Sequence, residues 1–270
     1  MSLWFEKSCI ALTPERLIEV RLSRGLRPQL TVQSDLGITP DDSSPWAVAL
    51  DTLRTHRKQQ GTQKRIQYAI LLSGKFVRFQ VIPWQGALIK HAERMAYAKH
   101  CFREAYGAAS HAWDISLSEA GYGKAVLAAA VDREFLEGIR TCFKDAPLVS
   151  IKPWLTAAYS RFCSTWHRAA TPHYFCGVEG QELHVIRTTK GEPSGVYRQS
   201  IRSSWQQALQ ATRLQATQPG ETRSTVSVFG VSVASVSRNA DELLRVLTLD
   251  RRWENPSARN LFTEMAAVGL

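Results

Sequence analysis

Alternating apolar and polar positions dominate the start of the chain. Residues 8–12 and 17–22 flank Thr13-Pro14-Glu15-Arg16, a turn between two apolar runs, which predicts a hairpin with a third short strand at 29–32. Residues 34–44 are rich in Asp, Ser and Pro and predict a loop. Ser44-Pro45 then opens a helix to about 53, because proline costs nothing at a first helical position. A second hairpin is expected from 66–72 and 76–82 around Ser73-Gly74-Lys75, ended by Pro83-Trp84. The helical period is clearest over 85–106, where Leu88, Ala92, Met95, Phe102 and Tyr106 follow steps of three and four, interrupted at Lys99, before Gly107. A third hairpin follows at 113–117 and 125–131. Asp132 is placed to cap a helix to about 144, with a strand at 148–151 and a helix at 154–167.

After Thr171-Pro172 the pattern restarts. Strands are predicted at 173–178, 183–187 and 196–201, a helix at 204–217, a strand at 225–231, a helix at 239–249 and a short amphipathic tail at 257–270. The second half therefore repeats the first in outline: three strands, a helix, a further strand, a helix. No residue-level repeat accompanies it. The expected fold is α/β with mixed sheets, built from two βββαβα lobes. The first lobe would span 1–153, with an inserted hairpin-helix region at about 73–131, and the second 154–270.

Composition changes this picture little. The chain has 270 residues, 44% hydrophobic and 21% charged, with 16 Gly and 11 Pro, which excludes collagen-like and fully disordered classes. Its net charge of +10 is spread evenly: residues 1–160 hold 21 Lys and Arg against 15 Asp and Glu. Five widely spaced Cys read as buried thiols of a reducing compartment. No apolar run approaches the ~20 residues of a spanning helix, so a soluble intracellular protein is expected.

Candidate chemistry is sparse. Gly121-Tyr-Gly123-Lys124 lacks the glycine and the hydroxyl of a phosphate loop and reads as a hairpin turn. Cys163, His167, His173 and Cys176 have partial metal spacing, but a three-residue step along a strand points His173 and Cys176 to opposite faces, so no metal site is expected. Arg54, Arg57, Lys58, Lys64 and Arg65 could meet phosphates. With no aromatic residue among them to stack on bases, they read as a solvated helix end, and no specific nucleic acid is expected. No pair of carboxylates nominates a general acid and base, and no catalytic residue is assigned.

Particular stretches carry a resemblance. Residues 9–22, with Arg24-Gly25 after them, look like the opening hairpin of the actin-like assembly proteins (PilM/GspL-type) of type IV pili and type II secretion. The stretch 72–84, ending Pro83-Trp84, resembles another part of that family, as do Glu93, Phe102 and Tyr106-Gly107 after it. The resemblance implies an actin-like, ribonuclease H-like duplicated core with ATP between the lobes. Its phosphate turns would fall at Thr13-Pro-Glu-Arg, which lacks the aspartate and glycine of the pattern, and at Gly177-Val-Glu179-Gly180. The adenosine-side loop would fall at Gly230 and Ser232. Glu179, Gly180, Gly230 and Ser232 are thus the cofactor-site candidates of a degenerate cleft. The implied function is a non-catalytic scaffold at the inner face of the inner membrane, holding the cytoplasmic segment of a single-span partner, with an ATPase as the alternative. Self-association as a homodimer is compatible with it. Trp84, Leu261, Phe262 and Met265 are the partner-contact candidates, with a plain core aromatic as the other reading of Trp84 and docking on its own domain as the first reading of the tail.

Overall fold

The computed structural model describes residues 6–23, 25, 27–41, 44, 46–61, 65–162, 171–216, 224–230, 243–247 and 261–270. The opening hairpin forms as β1 (Glu6–Leu12) and β2 (Arg16–Leu22), paired antiparallel, and β2 pairs antiparallel with β3 (Leu30–Gly37). Helix α1 (Ala47–Gln60) follows, then β4 (Ile66–Leu72) parallel to β1. The last strand of this sheet is β8 (Leu148–Pro153), parallel to β4, which gives the order β3-β2-β1-β4-β8.

A two-residue period assigns its faces. Ser8, Ile10 and Leu12 share a face with Leu17, Glu19 and Arg21 across β2, and with Tyr68, Ile70 and Leu72 across β4. Helix α1 lies over this face and packs on α3 (Arg133–Cys142). As its sequence predicts, Asp132 caps α3: its Oδ1 accepts from the Glu134 and Phe135 amides at 2.9 and 3.4 Å. Cys9, Ala11 and Leu71 face the other way, beneath α6 (Leu261–Ala267).

The second half rebuilds the same sheet. Strands β9 (His173–Glu179), β10 (Glu182–Thr189) and β11 (Glu192–Ser200) are antiparallel neighbours, while β12 (Thr225–Phe229) and β13 (Leu243–Leu247) run parallel to β9. The order β11-β10-β9-β12-β13 is that of the first sheet, strand for strand. Tyr174, Cys176, Val178, Leu183 and Val185 pack there against Trp205 and Leu209 of α5 (Trp205–Ala216). The expected duplication of two mixed-sheet α/β lobes is what the chain forms.

Five expectations need correction. The hairpin of 66–72 with 76–82 does not form. A tight 3₁₀ turn, Gly74–Phe76, redirects the chain, and β5 (Val77–Ile82) joins a separate three-stranded sheet with β6 (Trp113–Leu117) and β7 (Val126–Asp132), in the order β5-β7-β6. Helix α2 (His91–Tyr106) starts six residues later than expected and lays Ala98 and Phe102 on that sheet. Strand β3 runs on to Gly37, and α1 runs through the basic stretch to Gln60. Residues 243–247, expected within a helix, form β13, since a short, mainly apolar stretch beside an open parallel strand gains a ladder of hydrogen bonds. Of the helix expected at 154–167, α4 (Trp154–Phe162) lies within the described residues and the remainder outside them.

Contacts group the chain into two compact units: Met1–Val77 with Val131–Ala158 and Leu249–Leu270, and Arg78–Ala130 with Tyr159–Thr248. This departs from boundaries at 153 and 154. The three-stranded insert groups with the second five-stranded sheet, and the tail expected in the second lobe packs on β1 and β2 of the first.

Candidate functional site

In a doubly wound sheet, ligands meet the carboxyl ends of parallel strands, where turns present free amides. In the first unit those ends are Leu12 of β1, Leu72 of β4 and Pro153 of β8, which lie side by side in register. The turn after β1 is closed by its own side chain. Thr13 Oγ1 accepts from the Arg16 amide at 2.8 Å and the Glu15 amide at 3.2 Å, and donates to the Arg16 carbonyl at 3.1 Å. The turn after β4 is closed in the same manner, Ser73 Oγ accepting from the Lys75 amide at 3.0 Å while the Ser73 amide donates to the Leu12 carbonyl at 2.9 Å. Lys75 then pairs with Glu15, joining the two turns by charge. The amides a phosphate would need already donate to hydroxyls, and a carboxylate stands beside them. These residues do not fit a triphosphate. Thr13→Val is expected to lower stability by about 1–2 kcal/mol in urea unfolding, since two amides lose their acceptor.

The second unit keeps more of an open turn. Gly180 and Gly230 follow β9 and β12, with φ of +58° and +88°, a backbone that side chains rarely adopt. Glu179 is buried, and its Oε2 lies 3.6 Å from Nε2 of buried His184. The same nitrogen lies 3.5 Å from Glu182, which also accepts from Arg198 at 2.5 Å. Burial pushes the Glu182 carboxyl up, yet the bonds from His184 and Arg198 outweigh that and hold it at about 2. Glu179, the acid of the second expected phosphate turn, therefore faces a histidine.

No protein-family model matches the sequence, and no curated protein does. Similarity appears in solved structures. A protein of Bacteroides thetaiotaomicron with an actin-like ATPase fold and unknown function superposes with a TM-score of 0.56 at 10% identity, over 85% of this chain and 84% of that one. The fold is actin-like. The cytoplasmic domain of EpsL, an inner-membrane component of the type II secretion system of Vibrio cholerae, gives 0.54 at 10% identity over 97% of this chain and 94% of its own. The PilM–PilN type IV pilus biogenesis complex gives 0.55 at 12% identity over 98% and 95%.

Within this actin-like frame the other candidate residues fall as follows. Ser232 lies outside the described residues, as do Cys163 and His167. His173 and Cys176 point to opposite faces of β9. His173 Nε2 bonds Ser227 Oγ at 3.0 Å, and Cys176 sits in the core, where burial pushes its thiol up. Met265 is buried against the first sheet, so the tail docks on its own unit there and Met265 is not exposed as a partner contact; the side chains of Leu261 and Phe262 lie outside the described residues. Trp84 is half-buried and meets Tyr122 edge-on at 4.7 Å. The basic cluster disperses. Arg57 stacks on Tyr68 and Phe143 at 4.4 and 4.7 Å, Arg54 pairs with Asp51, and Lys64 lies outside the described residues.

Two features were not read from the sequence. One is a buried polar network in which Glu19 accepts from Ser8 at 2.6 Å and Arg21 at 3.2 Å and meets His56 at 2.8 Å. Its signal was present: Ser8, Glu19 and Arg21 fall on the core-facing period of Ile10 and Leu17. The other is a groove of about 770 Å³ in the second unit. Its walls are the edge strands β5 and β11 with α2, presenting Phe79, Val81, Tyr97, Cys101, Val196 and Ala105.

Proposed function

We propose that the chain is a non-catalytic cytoplasmic scaffold of a pilus or secretion assembly platform, and that it holds the cytoplasmic segment of a single-span inner-membrane protein. One observation carries this reading: both turns at the carboxyl ends of β1 and β4 are closed by Thr13, Ser73 and the Glu15–Lys75 pair, where an actin-like nucleotide site needs free amides. The actin-like fold is shared with EpsL's cytoplasmic domain and with the PilM–PilN complex, which supports the setting. The groove beside β5 and β11 is the proposed seat, because each edge strand can take an extended segment by strand addition.

Calorimetric titration of the full chain with MgATP is expected to show no binding up to millimolar nucleotide. Micromolar, magnesium-dependent binding would favour the ATPase reading instead, built on Glu179, Gly180 and Gly230. For the partner, a photo-crosslinking residue in place of exposed Ala105 is expected to capture a membrane protein with one spanning segment in native cells, and Ala105→Arg to abolish its co-purification. Capture of soluble proteins alone would count against the platform role.

A further inference from the structure

The connection from β5 to α2 and the turn between β6 and β7 meet at one end of the three-stranded sheet. Trp84 lies edge-on to Tyr122 across them, and Trp84, Leu88, Arg94 and Lys124 line one crevice of about 10 Å³. Ile89, next to Leu88, is 62% exposed and Tyr122 is 78% exposed. Lys90 and Lys124 are both exposed beside them. The nearby Glu93 carboxylate is turned to the start of α2, accepting from the Lys90 amide at 3.0 Å, which leaves Glu119 as the acid of the two connections. The result is an apolar and aromatic tip with a lysine on each connection.

A protein anchor needs a pocket to enter, and a crevice of about 10 Å³ holds about one water. A lipid surface needs none. Tryptophan and tyrosine settle at the level of headgroups, lysine stems lie along apolar matter with the ammonium in water, and anionic lipid attracts that charge. We propose that this tip, formed by Trp84, Ile89 and Tyr122 with Lys90 and Lys124, docks on an anionic phospholipid surface. The inference is independent of the scaffold reading, since it needs no partner protein.

Flotation of the full chain with vesicles tests it. Vesicles of phosphatidylglycerol with phosphatidylethanolamine are expected to carry the protein, at least about tenfold more than phosphatidylcholine vesicles, with binding falling as salt rises. Lys90→Ser with Lys124→Ser is expected to lower binding more than about tenfold, at about fivefold per lysine. Ile89→Ser with Tyr122→Ser is expected to lower it about tenfold through lost apolar contact. All four side chains are exposed, so circular dichroism should match the parent chain, with melting lowered only slightly where Tyr122→Ser removes the edge contact with Trp84. Leu214→Ser, at a residue 80% exposed on α5, should leave binding unchanged. Failure to float with anionic vesicles, equal binding to both lipids, or parental binding by both double variants would overturn the proposal. So would crosslinking of position 122 to a protein in cells without any lipid binding, which would assign the tip to a protein partner.

Discussion

Deleting residues 261–270 is expected to cost the first unit about 5 kcal/mol and to leave it unfolded or nearly so at 37 °C. The segment is short, but it covers one face of the central strands β1 and β2. Met265, Ala266, Ala267 and Val268 are all buried there, and burying a Met or a Val is worth about 1.5–3 kcal/mol each, with less for each alanine. Gly269 marks how close the tail comes. A Cβ at that position would stand 2.4 Å from Cys9 Sγ and 3.3 Å from Leu71 Cδ1, two buried side chains with no room to retreat. Gly269→Val should therefore lose about 2–3 kcal/mol by overpacking, and Met265→Ala about 2–4 kcal/mol by leaving a cavity. Urea unfolding followed by tryptophan fluorescence gives these values directly. A tail that served only to contact a partner would leave the midpoint unmoved on deletion.

The duplicated sheets were legible because alternation in residues 8–22 and 173–201 assigns strands, turns and buried faces at once. What the sequence concealed was pairing at a distance. Gly74 suggested a hairpin, yet β4 pairs with β1 and β8, whose partner residues lie dozens of positions away, and no local period announces that. Leu243–Leu247 is a five-residue stretch with four apolar residues around Arg245, and its state is decided by the open edge of β12. The candidate site divides in the same way. The lack of glycine in Thr13-Pro-Glu-Arg was readable in sequence. That Thr13 Oγ1 and Lys75 fill the resulting turn required the fold, because Glu15 and Lys75 are 60 residues apart. The tip at Trp84 and Tyr122 shows the same limit: each residue reads alone as a turn aromatic, and only the three-stranded sheet brings them together.

Stability between pH 4.5 and 2 should fall steeply in the first unit, and Glu19 should be the cause. Burial alone would push its carboxyl up. Hydrogen bonds from His56, Ser8 and Gln60, with Arg21 beside it, override that and hold it at about 2, against an ordinary 4.5. A carboxylate whose folded pKa lies below its unfolded value stabilises the fold fully above pH 4.5, and loses that contribution as pH falls toward 2. The span corresponds to about 3 kcal/mol. In the second unit His173 acts earlier. Burial, with Arg245 nearby, lowers it from 6.5 to about 4, so its neutral form supports the fold above pH 6.5 and the support declines as pH drops toward 4. Glu19→Gln keeps the shape but strands Arg21 and the Ser8–His56 network without a charge to surround, which should cost about 3–5 kcal/mol at neutral pH. The same variant should lose the steep pH dependence of the first unit below 4.5, whereas His173→Asn should retain it and flatten the stretch from 6.5 to 4. Urea midpoints measured across pH separate the two. An unchanged acid slope in Glu19→Gln would mean that some other carboxylate governs the first unit's acid unfolding.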